Sequence, residues 1–288
     1  MRPDISIIIV NWKVKDLLEK SLSSIFAYQK DYQVEVLVVD NNSQDGSVAM
    51  IKEKFPQVIL ISLSDNIGFG AANNLAIKEA QAEYIFLLNP DTEITEDFLD
   101  RALTYLKNNP SVGIMAPRII NSDGSKQLSI RRHPDLLSQV LIMFKLKNIL
   151  VNNKILNNYL LKDFDYNKEQ TVDQIMGAAM LIRKSVFEKI GTFDEKFFVW
   201  FEEVDLCYRV NQKGYKAYFI SDIGAYHKGG GCSDNVIPER LFYSWRSRIK
   251  YGEKHFKFDD LFLLYVTTFI IEPIARGVFS IFSIKLYF

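Results

Sequence analysis

Four continuous apolar runs in the N-terminal part constrain the fold of this chain more than any other feature. They read ISIIIV, VEVLVV, VILIS and YIFLL, at residues 5–10, 34–39, 58–62 and 84–88. Runs that are apolar at every position, rather than at alternate positions, are typical of parallel strands covered on both faces. Helical patterns separate the runs. This alternation of strands and helices predicts an α/β fold with a doubly wound, mostly parallel sheet.

Composition and charge argue against several classes of protein. The 288 residues are 48% hydrophobic and 24% charged, which is ordinary for a globular protein with a sizeable core. Lysine plus arginine and aspartate plus glutamate both number 35, whereas a dedicated nucleic-acid binder normally carries a basic excess. Cys207 and Cys232 fit neither a metal-ligand spacing nor a disulfide framework. We therefore expect a reducing, cytoplasmic location.

Polar side chains follow each of the four predicted strands. In open parallel sheets, ligands bind beyond the carboxyl ends of the strands. Any one of these side chains could serve only a turn or a helix cap, since Asn and Asp favour both. Four polar ends at one edge of the sheet instead predict a binding site. Its candidate residues are Asn11, Asp40, Asn42, Asn66 and Asp91.

The turn after the fourth strand holds two carboxylates, in Asp91-Thr92-Glu93. Alternate residues of an extended segment point the same way, so we expect Asp91 and Glu93 to face one cation. Mg²⁺ and Mn²⁺ favour oxygen ligands, and Mg²⁺ is often bound by one or two carboxylates plus substrate phosphates. An isolated D-x-E triplet is commonly no more than two solvated side chains. The position of this triplet at the end of a strand favours a metal site. His227, in a glycine-rich loop, is a further candidate ligand.

A second acidic cluster, Glu202-Glu203-Val204-Asp205, begins a predicted helix after the aromatic segment FDEKFFVWF. Acids at a helix N-terminus complement the helix dipole, which is the purely structural explanation. The neighbouring rings of Trp200 and Phe201 would partly desolvate a carboxylate and raise its pKa towards that of a general base. We therefore take the cluster as the candidate catalytic group and the two rings as candidate acceptor contacts.

The segment DNIGFGAANNLAI, residues 65–77, predicts an anion site. Gly68 allows the backbone to approach a ligand closely, and Asn66 and Asn73 offer amide donors near a helix N-terminus. The segment matches neither a dinucleotide fingerprint nor a P-loop.

Taken together, these motifs resemble family 2 glycosyltransferases with the GT-A fold, most closely the bacterial rhamnosyltransferase branch. The stretches that carry the resemblance span about residues 4–233 in order, and include VEVLVVDNNSQDGSV, NIGFGAANNLAI, YIFLLNPDTEI and FEEVDLCYRV. The resemblance implies a Rossmann-like central sheet flanked by helices.

The resemblance also implies roles for single residues. Asp40 would contact the nucleotide base, Asp91 and Glu93 would hold ribose, metal and diphosphate, and His227 would add a contact to metal or diphosphate. Glu203 occupies the position of the catalytic base, and Asp205 belongs to the same motif. Two residues depart from the family pattern, because Glu93 stands where Asp is usual and Glu203 follows Glu202 where Glu-Asp is usual. Candidate nucleotide-sugar contacts are Asn11, Asp40, Asn42, Asn66, Gly68, Asn73 and Asp91.

The implied activity is inverting, Mg²⁺- or Mn²⁺-dependent transfer of a sugar from a nucleotide sugar to a surface glycan or lipid-linked acceptor. The branch suggests L-rhamnose from dTDP-rhamnose. Two alternatives stay open. A nucleotidyltransferase also uses paired carboxylates, but normally carries a glycine-rich loop that IVNWKVKDLL lacks. An inactive glycan-binding scaffold is expected to have lost its acids.

Outside the resemblance lie a helical insertion at about residues 134–170 and a C-terminal segment, 234–288, that follows a catalytic domain over 1–233. The stretch 261–284 is the most apolar of the chain, but Glu272 and Arg276 near its middle disfavour a membrane span. We expect an apolar helical tail that lies at the inner face of the cell membrane or packs on the domain. Ordinary domain core is the alternative, and the sequence predicts no oligomeric state.

Overall fold

The computed structural model describes residues 2–143, 153–231 and 239–281. Its strands are β1 (Ile5–Asn11), β2 (Val34–Asp40), β3 (Ile59–Ser62), β4 (Tyr84–Leu88), β5 (Thr92–Ile94), β6 (Val112–Ile120), β7 (Ile130–Arg131), β8 (Gln170–Val172), β9 (Gln174–Ile175), β10 (Ala179–Arg183) and β11 (Lys216–His227). Its helices are α1 (Lys15–Tyr28), α2 (Ser47–Lys54), α3 (Phe69–Glu79), α4 (Phe98–Asn108), α5 (Leu136–Met143), α6 (Lys154–Tyr159), α7 (Lys184–Ile190), α8 (Glu202–Gln212), α9 (Arg240–His255), α10 (Phe258–Val266) and α11 (Glu272–Ile281).

The central sheet has the strand order β3-β2-β1-β4-β10-β6-β11-β5, with β8 added beside β11. The four strands predicted from the apolar runs pair in parallel as one block, which confirms the α/β prediction. The other half is mixed. There β10 runs antiparallel to both β4 and β6, while β6 and β11 are parallel. A small two-stranded sheet joins β7 and β9.

Burial on both faces explains why the runs are continuous. Ile7 and Ile9 of β1 belong to one apolar layer, whereas Ile8 and Val10 belong to the layer on the other face. The first layer includes residues of α1, α2 and α4, and the second includes residues of α3, α7 and α8. The edge strand β3 is the exception, since its Ile59 is 43% exposed.

Strand register gathers the polar ends at one edge of the sheet. Asn11, the last residue of β1, lies opposite Asp40, the last residue of β2. On the other side of β1, β4 is aligned so that Leu87 lies opposite Ile8, and its chain continues to Asn89 and Asp91 just beyond the edge.

The insertion at 134–170 is helical only in part. It contributes α5 and α6 and then leads into β8, and residues 144–152 of the prediction lie outside the described residues. The boundary predicted near 233 also falls on residues that are not described.

The C-terminal part forms α9, α10 and α11, and a short π-helical segment, Thr267–Ile271, joins the last two helices. Within the described ranges, no helix combines the length and the apolar character that a bilayer crossing requires.

Candidate active site

A cavity of about 550 Å³ opens at the carboxyl ends of β1 and β4. This volume lies within the range of about 300–1,000 Å³ that is usual for small-ligand sites. The cavity is lined from several elements. Asn89 and Asp91 follow β4, Met176 to Ala178 precede β10, and His227 ends β11. Of the candidate residues at the polar strand ends, Asn66 and Asp91 line this cavity, whereas Asn11, Asp40 and Asn42 are not among the described residues that line it.

Asp40 is the last residue of β2 and contacts the loop that follows this strand. Its carboxylate accepts hydrogen bonds from Asn11 Nδ2 (2.8 Å), Ser43 Oγ (2.5 Å) and the Ser43 backbone N–H (3.0 Å). Asn11 and Asp40 are buried, and this network fixes the loop after β2. Asn42 is half-buried with φ +58° and accepts a hydrogen bond from Gln44. Asn41, which the sequence analysis passed over, lines the cavity.

Gly68 forms the tightest backbone contact of the site. Its φ is +91°, and a Cβ atom there would lie 2.4 Å from the carbonyl oxygen of Phe198. That same carbonyl accepts the N–H of Phe69 at 2.8 Å, and Asn41 Nδ2 donates to the Gly68 carbonyl at 3.1 Å. Only glycine fits here without displacing the 198–200 segment.

The asparagines of the Gly68 loop have different positions. Asn66 lines the cavity, and its Oδ1 accepts the backbone N–H of Gly68 at 2.9 Å. Asn73 is instead buried in α3, and its amide donates to the carbonyl of Phe69 one turn earlier. The loop therefore brings Asn66 and Gly68 to the cavity but not Asn73.

Asp91 and His227 face each other across the cavity edge. His227 Nε2 lies 3.3 Å from Asp91 Oδ1, and the backbone N–H of Gly231 donates to Asp91 Oδ2 at 3.2 Å. His227 Nδ1 lies 2.8 Å from Gln127 Oε1, which directs Nε2 towards Asp91. Burial favours a raised pKa for Asp91, but the hydrogen bond and charge of His227 and the Gly231 N–H outweigh it. The pKa of Asp91 is lowered.

Glu93 does not join Asp91. It is the exposed middle residue of β5, opposite Tyr226 of β11, and it lines a separate surface pocket together with Asp16 and Glu19. The expectation that the carboxylates of Asp91 and Glu93 face one cation is therefore not met by this geometry. Asn89, two residues before Asp91, lines the same cavity as Asp91 and was missed.

Asp91 and His227 fit a divalent cation only if the substrate supplies further ligands. Within the described ranges, no group of three or more His, Cys, Asp or Glu side chains is arranged to hold a metal. Asp91 and His227 supply an oxygen and a nitrogen donor in one place, and Mg²⁺ commonly takes its remaining ligands from substrate phosphates and water. The residues therefore fit a cation bound together with a diphosphate.

Glu202 and Glu203 both line the cavity at the start of α8. Burial raises the pKa of both carboxyl groups, and the charge of Glu203 adds to the rise at Glu202. Glu202 is the more buried, and its Oε2 has no hydrogen-bond partner among the described residues. Glu203 is half-buried. A carboxylate with a raised pKa beside a cavity is a candidate general base.

Two consecutive residues with left-handed backbone precede this pair. Trp200 has φ +64° and Phe201 has φ +70°. Such conformations cost about 1–3 kcal/mol for residues other than glycine and cluster at functional sites. They place Trp200 at the cavity and turn the Phe201 ring away to pack against Tyr251, with ring centroids 5.4 Å apart. Of the two candidate acceptor contacts, only Trp200 lines the cavity.

Asp205 lies behind the cavity wall in an ion cluster. It is fully buried, and its carboxylate contacts Arg209 Nε, Lys254 Nζ and His255 Nε2, each at 2.8 Å. Burial opposes its charge, but the hydrogen bonds from His255 and Lys254 and the Arg209 guanidinium lower the pKa of Asp205 to about 2. Asp205 thus joins α8 to the end of α9, and the geometry does not bring it to the cavity.

The C-terminal helix α9 also contributes to the cavity wall, which the sequence analysis did not predict. Glu239 precedes the helix and Tyr243 lies in its first turn, and both line the cavity. The Tyr243 ring stacks on Phe198 at a centroid distance of 4.9 Å. Phe198 in turn abuts Gly68, so that the three elements hold one another in place.

Comparison with known proteins identifies the family of this chain. The family described as "Glycosyl transferase family 2" matches residues 6–191, which end before Glu203 and His227. The N-acetylglucosaminyl-diphospho-decaprenol L-rhamnosyltransferase of Mycobacterium tuberculosis is 27% identical over 221 residues, covering 73% of this chain and 71% of the relative. The rhamnosyltransferase WbbL of Escherichia coli K12 is 27% identical over 256 residues, covering 85% of this chain and 91% of the relative.

Among solved structures, the mannosyltransferase PcManGT of Pyrobaculum calidifontis, in complex with GDP-Man and Mn²⁺, is similar with a TM-score of 0.57. The sequence identity is 17%, and the match covers 100% of this chain and 77% of that one. This likeness shows the fold.

Replacing Gly68 by alanine tests the contact with Phe198. We expect Gly68→Ala to lower the free energy of unfolding more than Gly124→Ala does, by at least about 1 kcal/mol, because the added Cβ collides with the Phe198 carbonyl. Gly124 is the matched control, since it has φ +80° but open space around it. Urea denaturation of both variants makes the comparison. Equal losses would show that the contact has no energetic weight.

Asp205→Asn tests the ion cluster. A lowered pKa in the folded state means that this carboxylate stabilises the protein fully above its unfolded pKa, near 3.8, and loses that effect as pH falls towards about 2. We expect the variant to lose about 2 kcal/mol of unfolding free energy at pH 7, with the difference from the native chain beginning to shrink below pH 4.

The control for this variant is Asp222→Asn, which removes an exposed carboxylate paired with Arg101. We expect its loss to stay below about 1 kcal/mol. Unchanged stability of Asp205→Asn together with lost activity would instead support a catalytic role for Asp205.

Proposed function

Because this chain belongs to glycosyltransferase family 2, we propose that it transfers L-rhamnose from dTDP-rhamnose to a lipid-linked or surface glycan, with inversion at the sugar. The observation that carries the proposal is the single cavity in which Asp91 and His227 at one edge are joined by Glu202 and Glu203 from α8. Such a cavity has one place for an anionic donor and another for a base.

Two relatives support the choice of sugar. Both the mycobacterial and the E. coli protein are named as rhamnosyltransferases, and the latter aligns with this chain over most of its length. The mycobacterial name also specifies an acceptor linked through diphosphate to a polyprenyl lipid. We extend both features to this chain, and we place the reaction at the cytoplasmic face of the membrane, where donor and acceptor would meet.

The reaction needs a base on one side of the sugar and a stabilised leaving group on the other. The acceptor hydroxyl oxygen forms a bond to the anomeric carbon while the bond from that carbon to the diphosphate oxygen breaks. The hydroxyl proton passes to Glu203, and the bonding electrons leave with the nucleoside diphosphate. One displacement from the opposite face inverts the anomeric centre.

Glu203 is better suited to be the base than its neighbours. It is half-buried at the cavity, whereas Asp205 is enclosed by three basic side chains. Glu202 is more deeply buried, and two adjacent carboxylates cannot easily both be charged. The charge of Glu203 raises the pKa of Glu202 further, so Glu202 is the less suited of the two to act as an ionised base.

Asp91 and His227 would hold a divalent cation together with the donor diphosphate. When bound, the cation would supply electrostatic stabilisation of the charge that develops on the leaving group. Asn41 on the loop after β2, and Asn66 and Gly68 on the loop after β3, would enclose the nucleotide, and Asp40 would keep the first of these loops in place through Ser43.

The acceptor side would be formed by aromatic residues. Trp200 lines the cavity next to Glu203, and Tyr243 lines it from α9. Aromatic faces suit the apolar faces of sugar rings, and α9 lies beyond the residues that match the family. The proposal therefore assigns donor binding to the β1–β4 edge and acceptor binding to the α8–α9 side.

Glu203→Gln separates binding from chemistry. We expect it to lower the rate of transfer by about 10²–10⁴-fold, because general base catalysis contributes an effect of this size, while donor affinity changes little. The native rate should fall with decreasing pH over a range above that of an exposed glutamate, since burial raises the pKa of Glu203. Transfer kinetics and isothermal titration with the donor measure both quantities, with exposed Glu188→Gln as the control.

Asp91→Asn and Glu93→Gln form a matched pair for the metal site. A ligand at about 100 times its Kd should stabilise the chain by roughly 2.7 kcal/mol. We expect dTDP and dTDP-rhamnose with Mn²⁺ to raise the unfolding temperature of the native chain and of Glu93→Gln. Asp91→Asn should lose most of the Mn²⁺-dependent part. A loss of the same size in Glu93→Gln would show that Asp91 and Glu93 hold the cation together. A larger stabilisation by UDP or GDP than by dTDP would assign a different nucleotide to the donor.

A further inference from the structure

Three basic side chains lie around Tyr166, a buried residue between α6 and β8. Arg118, near the end of β6, donates from Nη2 to the Tyr166 carbonyl oxygen at 2.8 Å. The Lys126 ammonium lies 5.6 Å from the centre of the Tyr166 ring. Arg131 follows Ile130, whose backbone N–H donates to the Tyr166 hydroxyl at 3.2 Å. We refer to Arg118, Lys126 and Arg131 as the basic patch.

The positive charges of the basic patch are not neutralised by acidic side chains. None of its three members forms an ion pair with another described residue. The acids next to the patch have other partners, since Asp165 lies 3.5 Å from Lys168 and Asp173 lies 3.8 Å from Arg132. Arg118 Nε is buried and has no hydrogen-bond partner among the described residues, while Lys126 and Arg131 are exposed. Such a group of cations fits an anion with several oxygen atoms.

Pairing of β7 with β9 places the basic patch beside Glu203. Arg131 lies opposite Gln174 in this two-stranded sheet. Further along the same chain, Gly177 lines the cavity, and a Cβ atom added to it would lie 3.7 Å from the Cβ and Cγ atoms of Glu203. Burial raises the pKa of Glu203, and the positive charge of Arg131 opposes that rise, as expected for charges that lie close together.

The segment from Lys126 to Arg131 borders the cavity. The Gln127 side chain contacts His227, with 2.8 Å between Oε1 and Nδ1. The Ser129 carbonyl oxygen accepts the backbone N–H of Met176 at 3.1 Å. Both His227 and Met176 line the cavity. The basic patch therefore lies at the rim of the cavity, on the side where a ligand that occupies Glu203 would emerge.

We propose that the basic patch binds the diphosphate group of the lipid-linked acceptor. This inference rests on the function proposed above, in which Glu203 takes the proton of the acceptor hydroxyl. In an acceptor that carries one sugar on a polyprenyl diphosphate, a single sugar ring separates the attacking hydroxyl from the first phosphate. The phosphates would therefore lie close to Glu203, where the patch begins. Guanidinium groups form paired, charge-assisted hydrogen bonds with phosphate oxygens.

The diphosphate of the donor fits the basic patch less well. That group is assigned to Asp91 and His227 inside the cavity, where a cation can accompany it. Arg118, Lys126 and Arg131 are not among the described residues that line the cavity, so the patch lies outside the space proposed for the donor. A second diphosphate, carried by the acceptor, accounts for cations at the rim.

Titration with farnesyl diphosphate tests the basic patch on the full chain, loaded with dTDP and Mn²⁺ so that the donor site is filled. We expect Arg131→Gln to weaken binding at least about tenfold, because hydrogen bonds to a charged group are lost. Arg131→Lys keeps the charge and should lose less. Arg132→Gln is the matched control and should bind as the native chain does, since this neighbouring arginine is also exposed but lies 3.8 Å from Asp173. Farnesol, which has no phosphate, should bind more weakly than farnesyl diphosphate.

Transfer kinetics separate the acceptor from a free anion as the occupant of the basic patch. The two acceptors are N-acetylglucosamine linked through diphosphate to farnesol, and the same sugar as an octyl glycoside. We expect Arg131→Gln to raise KM at least about tenfold for the first and to change KM much less for the second. An equal KM for the first acceptor in the native chain and the variant would assign the patch to free phosphate and overturn the proposal.

The remaining outcomes distinguish the basic patch from the donor site. Equal affinity of the native chain and Arg131→Gln for farnesyl diphosphate, or no binding by either, would overturn the patch. A loss of dTDP affinity in Arg131→Gln as large as the loss for farnesyl diphosphate would assign Arg131 to the donor and also overturn it. Failure of dTDP with Mn²⁺ to stabilise the native chain would instead contradict the proposed function, and titration of the unloaded chain with farnesyl diphosphate would still test the patch.

Discussion

The structure depends on the parallel pairing of β1 with β2 and β4 under two apolar layers. Because both faces of these strands are buried, an unpaired polar group inside them would cost free energy, and a buried polar side chain such as Ser6 is tolerated only with hydrogen-bond partners. The register that sets Asn11 opposite Asp40 then brings those ends together. The edge of the sheet is polar for the same reason that its centre is apolar, and the cavity forms there.

Local pattern was enough to predict the parallel half of the fold, since each short apolar run bounded by a polar turn forms a strand, although the edge strand β3 is not fully buried. The mixed half was not predictable in this way, because β10 and β11 take their places through partners far along the chain. Glu93 shows the same limit. Its face is set by pairing of β5 with Tyr226 of β11, not by its spacing from Asp91.

The position of Asp205, by contrast, could have been predicted from the sequence. Residues two positions apart on a helix point about 200° away from each other, so Glu203 and Asp205 cannot both face one cavity once α8 begins at Glu202. The sequence could not show which side chains contact Asp205. Lys254 and His255 reach Asp205 from the end of α9, about fifty residues later in the chain. A motif read as one catalytic group is thus divided between the lining of the cavity and attachment of the C-terminal helices.

This motif connects the cavity at the start of α8 to the C-terminal helices. The start of α8 bears carboxyl groups whose pKa is raised by burial, although a helix N-terminus favours negative charge. Burial therefore outweighs the helix dipole there, at the cavity that Phe198, Trp200 and Tyr243 also line. Asp205 anchors α9, whose Tyr243 lines the cavity, and Glu272 joins α11 to α9. Loosening the Asp205 anchor should thus act on the carboxyl groups of α8 indirectly, by admitting water to the α8 end of the cavity.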